Sequence, residues 1–196
     1  MRKSLLFVWA CMGLVCLMSA CKTSVKSKEW KLVWVEDFDQ KNSFDESVWT
    51  KIPRGTSDWN NYMSYYDSCY AMQDGNLILR GIANHTQKND TAPYLTGGVY
   101  TKGKKLFTGG RVEVCARLQA AKGAWPAIWM LPEKAEWPKG GEIDIMERLN
   151  HDHIAYQTTH SYYTHILGIK DNPPHGGINK INPEEYNIYS VDIYPD

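Results

Sequence analysis

The sequence predicts an antiparallel β-sandwich, and three observations indicate it. The apolar segments are short, rich in β-branched and aromatic residues, and bounded by Gly, Pro, Asn or Asp. Residues 111–118 alternate polar and apolar side chains, as expected of a strand with one buried face. No window carries an apolar helical stripe with capping residues. Two packed sheets without long helices are therefore the expected architecture.

Seven segments show these strand features. The first alternates aromatic and β-branched residues with charged ones, the second follows Asp74-Gly75, and Pro126 and Pro132 bound the fifth. The sixth begins after a glycine pair, and the last stops before Pro195. In chain order the predicted strands are 30–36, 77–80, 98–101, 111–118, 127–131, 142–146 and 188–193.

The first twenty residues are predicted to be a bacterial export signal. Arg2 and Lys3 form its charged start, and its apolar run of 14 residues, 5–18, is shorter than the about 20 that span a bilayer. Residues 17–21, LMSAC, resemble the lipobox of bacterial lipoproteins, which implies that Cys21 is lipidated and anchors the protein to the cell envelope, with the outer membrane expected. An ordinary signal peptide with a chance cysteine remains the alternative. Residues 21–29 would be a tether and 30–196 one catalytic domain.

Charge and cysteine content exclude several classes of protein. Without residues 1–20 the chain keeps 20 basic and 22 acidic residues, a formal charge of −2, and no basic patch predicts a nucleic-acid partner. With Cys21 assigned to lipid, Cys69 and Cys115 remain; a disulfide is permitted outside the cytoplasm, and buried free thiols are equally in keeping with two cysteines. No nucleotide or redox cofactor motif is present.

The segment GEIDIMER, residues 141–148, places three acids at a spacing that fits neither a helix nor a regular strand. Side chains alternate along a strand, so Glu142 and Asp144 share a face that Glu147 should leave. One inserted residue at Ile145-Met146, a β-bulge, returns all three to one face. The two glutamates are then about four strand steps apart, about 13 Å between Cα atoms. Their side chains can lean in to the about 5–5.5 Å carboxyl separation of a retaining glycosidase.

Three carboxyl groups on one face cannot all ionise freely, so at least one is expected to keep its proton near neutral pH. A protonated carboxyl beside an ionised one is the arrangement of a general acid and a nucleophile. Two alternatives remain open from the residues alone: solvated surface acids, or oxygen ligands of a cation.

Together these residues resemble glycoside hydrolase family sixteen, the laminarinase, lichenase, agarase and carrageenase family. EIDIME at 142–147 matches its bulged signature Glu-x-Asp-x-x-Glu. The similarity runs over about residues 30–194 through WKLVWVEDF, FDESVW, DGNLILRG, GGVYTKGKKLFTGGRVEVCARL and GAWPAIWMLP. The resemblance implies a jelly-roll β-sandwich of the concanavalin A-like lectin and glucanase type, with a carbohydrate cleft on its concave face.

The resemblance also implies an endo-acting retaining β-glycosidase that cleaves a β-glucan or β-galactan type of polysaccharide by double displacement. Glu142 would be the nucleophile, Glu147 the acid and then the base, and Asp144 a hydrogen-bonding partner that tunes the nucleophile. No cofactor is required by this chemistry. The family allows a structural calcium ion, for which the sequence shows no site.

Four further residues are predicted to bind substrate. Trp125 and Trp137 each precede a proline in a polar loop, and a flat ring with a polar edge suits the apolar face of a sugar. The family resemblance places His160 in the strand beside the catalytic one, where a structural role is the alternative, and Asn61 against substrate hydroxyls.

The sequence departs from the family pattern at two places. Residues 160–165, HSYYTH, lack the tryptophan that follows this histidine in many laminarinases, so mixed-linkage glucans, algal galactans and mucin glycans all stay open as substrates. The family also continues with further strands past residue 196, which predicts a sandwich that lacks its last strands. The competing functional hypotheses are a non-catalytic carbohydrate-binding protein on the same sandwich and a cation-binding structural domain.

Overall fold

The computed structural model describes residues 30–40 and 42–194. The predicted export signal, Cys21 and the predicted tether lie outside the described residues. The chain divides into residues 1–31 and a second unit, residues 32–196. No helix among the described residues is long and apolar enough to span a membrane.

Among the described residues from 32 onward, the regular secondary structure consists almost entirely of antiparallel strands, which turns and loops connect. Two short helical segments interrupt them, a 3-10 turn at Asp67–Cys69 and the α-helix α1 at Tyr162–His165. The strands are β1 Thr50–Lys51, β2 Tyr70–Gln73, β3 Asn76–Leu79, β4 Gly81–Ala83, β5 Tyr94–Thr96, β6 Val99–Tyr100, β7 Gly110–Ala116, β8 Ala127–Met130, β9 Glu142–Glu147, β10 Ile154–His160, β11 Gly176–Lys180 and β12 Asn187–Ile193.

The largest sheet has the strand order β11-β10-β9-β8, with every neighbouring pair antiparallel. Strand β12 pairs with β7 across all seven residues of each. Between these two sheets lies the main apolar cluster, to which β9 contributes Ile145 and Met146, β10 contributes Ala155, and β12 contributes Tyr189. Burial of these side chains between two sheets supplies the hydrophobic stabilisation of a sandwich.

Six of the seven predicted strands form within a few residues of their predicted bounds, and the prediction of an all-β sandwich is confirmed. The predicted strand at 30–36 is wrong, because none of the described residues 30–40 belongs to a strand. The alternation there is real, but side chains hold the segment: Trp49 Nε1 donates to Glu36 Oε2 over 3.1 Å, and the Phe38 N–H donates to Glu36 Oε1 over 3.1 Å. Phe38 has a φ of 51°, which no regular strand contains.

Candidate active site

The acids of β9 are placed by an irregularity in its pairing with β8. Trp129 pairs with Asp144, and the preceding residue Ile128 pairs with Met146. Ile145 is therefore left without a partner in β8. One extra residue in one strand of an antiparallel pair is the definition of a β-bulge.

The same irregularity appears on the other side of β9, against β10. Gln157 faces both Ile145 and Met146, and the regular ladder resumes where Tyr156 pairs with Glu147. The bulge predicted at Ile145-Met146 is confirmed.

The bulge brings all three acids to one face of the sheet. Glu142, Asp144 and Glu147 pair with residues 160, 158 and 156 of β10, which follow one another at intervals of two. Residues at that interval share a face of a strand, and directly paired residues share a face of the sheet. The acids therefore form a single row along one face of β9.

Asp144, the middle acid of the row, is the buried one, with 5% of its surface exposed. Its Oδ2 lies 3.1 Å from Nε2 of His160. Burial, and after it the charges of Glu147 and Glu142, raise the pKa of Asp144 from 3.8 to about 6, and the contact with His160 acts in the opposite direction. The sequence predicted one acid that holds its proton near neutral pH, and the structure identifies Asp144 as a carboxyl whose pKa is shifted in that direction.

Each outer glutamate accepts a hydrogen bond from a tryptophan. Trp125 Nε1 donates to Glu147 Oε1 over 2.8 Å, and Trp137 Nε1 donates to Glu142 Oε2 over 2.6 Å. Both indoles are about half exposed, at 48% and 47%. The hydrogen bonds fix the direction of each carboxylate and leave a ring face open to the solvent side.

The row of acids can thus supply two chemically different groups at one place. One glutamate at each end is oriented by an indole N–H, and the buried Asp144 between them carries a raised pKa. Among the described residues, no group of three or more His, Cys, Asp or Glu side chains is arranged to hold a metal ion. The arrangement is suited to nucleophilic attack on one atom of a bond and proton transfer to the other.

Comparison with known proteins agrees with this geometry. A family model described as "XgeA-like, catalytic GH16 domain" matches residues 70–175, which include the whole row of acids. The chain belongs to the GH16 family. The family resemblance predicted from EIDIME and the surrounding segments is confirmed.

Relatives of the chain include proteins with different substrates in their names. The chain is 38% identical over 174 residues to a keratan-sulfate endo-1,4-β-galactosidase of Sphingobacterium multivorum, covering 86% of this chain and 40% of that protein. It is 31% identical over 193 residues to a β-glucanase of Rhodothermus marinus, covering 92% of this chain and 65% of that protein. The chain therefore spans less than two thirds of the length of each.

A solved structure confirms the jelly-roll type of sandwich. The laminarinase from Rhodothermus marinus superposes with a TM-score of 0.73 at 30% identity, covering 85% of this chain and 69% of that one. The expectation that the GH16 sandwich continues past residue 196 stays a prediction.

His165 is a residue of this GH16 site that the sequence analysis missed. It ends α1, and its ring packs edge-on against Trp137 with the ring centroids 4.4 Å apart. Its centroid is also 6.3 Å from that of His160. In the segment HSYYTH the sequence analysis considered His160 and the absent tryptophan, whereas the second histidine supports the indole that binds Glu142.

A capping box fixes the start of α1 and so the place of His165. The Thr164 N–H donates to the Ser161 side chain, and the Ser161 N–H donates to the Thr164 hydroxyl. Reciprocal bonds of this kind satisfy two backbone donors at a helix start. Ser161-x-x-Thr164 was the available sequence signal, although the usual partner at the fourth position is Glu or Gln.

Asn61 lies in the turn that carries Trp59, which makes an edge contact with Trp129 at 5.1 Å between centroids. Trp129 pairs with Asp144, so this turn reaches the face of the sheet that carries the acids. The side-chain oxygen of Asn61 is buried and has no hydrogen-bond partner among the described residues. The contact of Asn61 with substrate hydroxyls stays a prediction.

Proposed function

We propose that this chain is a catalytic domain of an endo-acting retaining β-glycosidase, which hydrolyses internal bonds of a β-linked polysaccharide. The observation that carries the proposal is the single row of Glu142, Asp144 and Glu147 that the bulge creates on one face of β9. Paired carboxyl groups flanking one bond are the catalytic requirement of retaining glycosidases.

In the first step an oxygen of Glu142 attacks the anomeric carbon, and the bond from that carbon to the leaving oxygen breaks. Glu147 gives its proton to the leaving oxygen, which departs as a hydroxyl group. In the second step Glu147 takes a proton from water, the water oxygen bonds to the anomeric carbon, and Glu142 leaves as a carboxylate. Two inversions retain the configuration of that carbon.

Asp144 controls the charge of the row during these steps. With a pKa of about 6 it carries a proton part of the time near neutral pH, which limits the negative charge beside Glu142. Once Glu142 is esterified to the sugar, one of the charges that raise the pKa of Asp144 is gone. Asp144 then ionises more readily, with His160 3.1 Å away as its partner.

The substrate proposed is a β-glucan or a β-galactan. The relative with the higher identity acts on keratan sulfate by its name, and the other is named for β-glucan. In this chain His165 lies beside Trp137. The segment 160–165 lacks the tryptophan that follows His160 in the pattern of many laminarinases. This difference favours a galactan or mucin type of glycan over laminarin.

The test of the function is turnover on a panel of β-glucans, galactans, keratan sulfate and mucin glycans, with product size read by chromatography and anomeric configuration by NMR. Internal cleavage with retention is expected for the unaltered protein. Glu142→Ser should lower kcat by about 10⁴-fold or more while glycan binding persists. The matched control is Glu185→Ser at an exposed glutamate, which should leave kcat unchanged.

Two results would contradict the proposal. Inverted products would mean that no covalent intermediate forms on Glu142. Glycan binding without turnover on any polymer would instead favour the alternative of a carbohydrate-binding protein on the same sandwich.

We further propose that the protein is exported and held on the cell envelope by a lipid on Cys21. The support is the sequence of residues 1–21: a charged start, an apolar run too short to span a bilayer, and LMSAC at its end. An anchored enzyme would meet polysaccharide outside the cell and release oligosaccharides near its own membrane.

A further inference from the structure

The bulge in β9 leaves one backbone group that the sheet cannot satisfy in the regular way. Ile145 has no partner in β8 and shares Gln157 of β10 with Met146. Ile145 and Met146 are 2% and 0% exposed, so the backbone around them has little access to water. A buried carbonyl in such a place requires a donor from elsewhere.

The side chain of Gln157 supplies that donor. Its Nε2 donates to the carbonyl oxygen of Ile145 over 3.1 Å. Asn179 of β11 fixes the direction of the amide, because Asn179 Nδ2 donates to Gln157 Oε1 over 2.7 Å. With its oxygen occupied in this way, the amide group must present its N–H to the bulge.

The bulge is the feature that turns Glu147 to the face of the other two acids. Glu147 lies two residues after Ile145, and a slip of pairing by one residue would turn its side chain to the opposite face. A group that holds the bulge in place therefore also holds the direction of Glu147. Glu142 precedes the bulge and pairs with His160 independently of it.

We propose that Gln157, oriented by Asn179, is a positioning residue that locks the bulge at Ile145 and so aims Glu147 at the bond to be cleaved. Its catalytic consequence rests on the proposed glycosidase function. Its structural consequence does not, because the direction of Glu147 can be read without turnover.

The indole N–H groups of Trp125 and Trp137 report the two glutamates separately. Trp125 donates to Glu147 and Trp137 donates to Glu142, so each indole N–H resonance depends on the position of one carboxylate. In Gln157→Met, which fills similar space without a donor, the Trp125 resonance should shift while the Trp137 resonance stays in place. Gln119→Met is the matched control, since the amide of Gln119 contacts only the exposed Glu184 at 3.3 Å in the described structure.

On a cleaved substrate, Gln157→Met should lower kcat by about ten- to a hundredfold while KM changes by less than about twofold, as expected when an acid is misplaced by about 1 Å. Gln119→Met should leave both constants unchanged. If Gln157→Met only destabilised the fold, the fraction of active protein would fall, but the Trp125 resonance of the folded protein would not move.

Gln157→Glu supplies a second signature. Its protonated carboxyl can donate to the Ile145 carbonyl and still accept from Asn179, whereas its ionised form places a negative oxygen against that carbonyl. The kcat of Gln157→Glu relative to the unaltered protein should therefore rise as pH falls and drop as pH increases. Should Gln157→Met not fold, Asn179→Ala is the substitute, with a smaller shift of the same Trp125 resonance.

The outcomes separate this inference from the proposed function. An unmoved Trp125 resonance in Gln157→Met, or a pH-independent ratio for Gln157→Glu, overturns the positioning role. If the unaltered protein cleaves no glycan, the glycosidase proposal fails, and the two indole resonances still decide whether Gln157 aims Glu147.

Discussion

Ionisation of Asp144 adds a negative charge to the site and lowers the stability of the folded protein. Its pKa is raised from 3.8 to about 6, so its neutral form is favoured in the folded protein. The stability contributed by binding that proton is fully present below about pH 4, falls as pH rises towards 6, and is absent above it. The shift corresponds to about 3 kcal/mol at most.

Asp144→Asn should remove this pH dependence, because the amide keeps the shape and cannot ionise. Relative to the unaltered protein, the variant should gain up to about 3 kcal/mol in free energy of unfolding between pH 4 and pH 8. Denaturant unfolding over that range measures the difference, with exposed Asp58→Asn as the control. A difference between the two proteins that is the same at every pH would contradict the raised pKa.

For single residues, the sequence predicted that a proton is held in the row of acids, but it did not predict which acid holds it. Three acids in one row predict that a proton is held, because like charges repel whichever residue carries it. Which acid is buried depends on Trp129 and Thr158, the residues that pair with Asp144 from the neighbouring strands, and no local pattern shows that pairing. The hydrogen bonds from the indoles of Trp125 and Trp137 also depend on contacts that no local sequence pattern shows.

Among the elements, α1 connects the loop after β10 to the nucleophile. His165 packs against Trp137, and Trp137 donates to Glu142, so the four-residue helix acts on the carboxylate through one ring. Because 47% of Trp137 is exposed, few neighbours surround its side chain, and each of its contacts contributes to the orientation of the ring.

His165→Ala should lower kcat/KM by about two- to twelvefold, the equivalent of the about 0.5–1.5 kcal/mol of an aromatic pair. His165→Phe keeps a ring in the same place and should retain most of the activity. Tyr163→Ala is the control, since that side chain on the same helix is 62% exposed. Steady-state kinetics on the best substrate measures all three, and equal losses in His165→Ala and Tyr163→Ala would show that only the helix as a whole matters.

The predictability of an element follows from where its stabilising contacts come from. Strand β9 could be predicted down to its bulge, because the acids had to share a face and only one inserted residue achieves that. Strand β11, GGINK, has little intrinsic β-propensity and forms because β10 offers it a ladder of five residues. Residues 30–36 show the opposite case, because their pattern is that of a strand and the structure forms no strand there.

For the whole molecule, the two-sheet architecture was predictable because burial on one face of each sheet leaves its period in the sequence. The order of the segments, matched to GH16, then predicted the jelly roll that the Rhodothermus marinus structure confirms. The sequence could not show which loops lie beside the row of acids. Loop positions depend on contacts between distant segments, such as Trp59 with Trp129.

The place of this molecule in the cell follows from a separate signal, residues 1–21, and leads to a prediction of its own. In a bacterial host, Cys21→Ser should prevent incorporation of labelled palmitate and move the protein from the membrane fraction to the soluble exported fraction. Cys115→Ser, which alters an exposed cysteine of β7, is the matched control and should keep both label and membrane association. A single acyl chain holds a protein only marginally on a bilayer, so stable association would indicate a lipid group with more than one chain. Absence of label from the unaltered protein, together with its secretion, would instead identify an ordinary signal peptide and leave the glycosidase chemistry of the mature domain untouched.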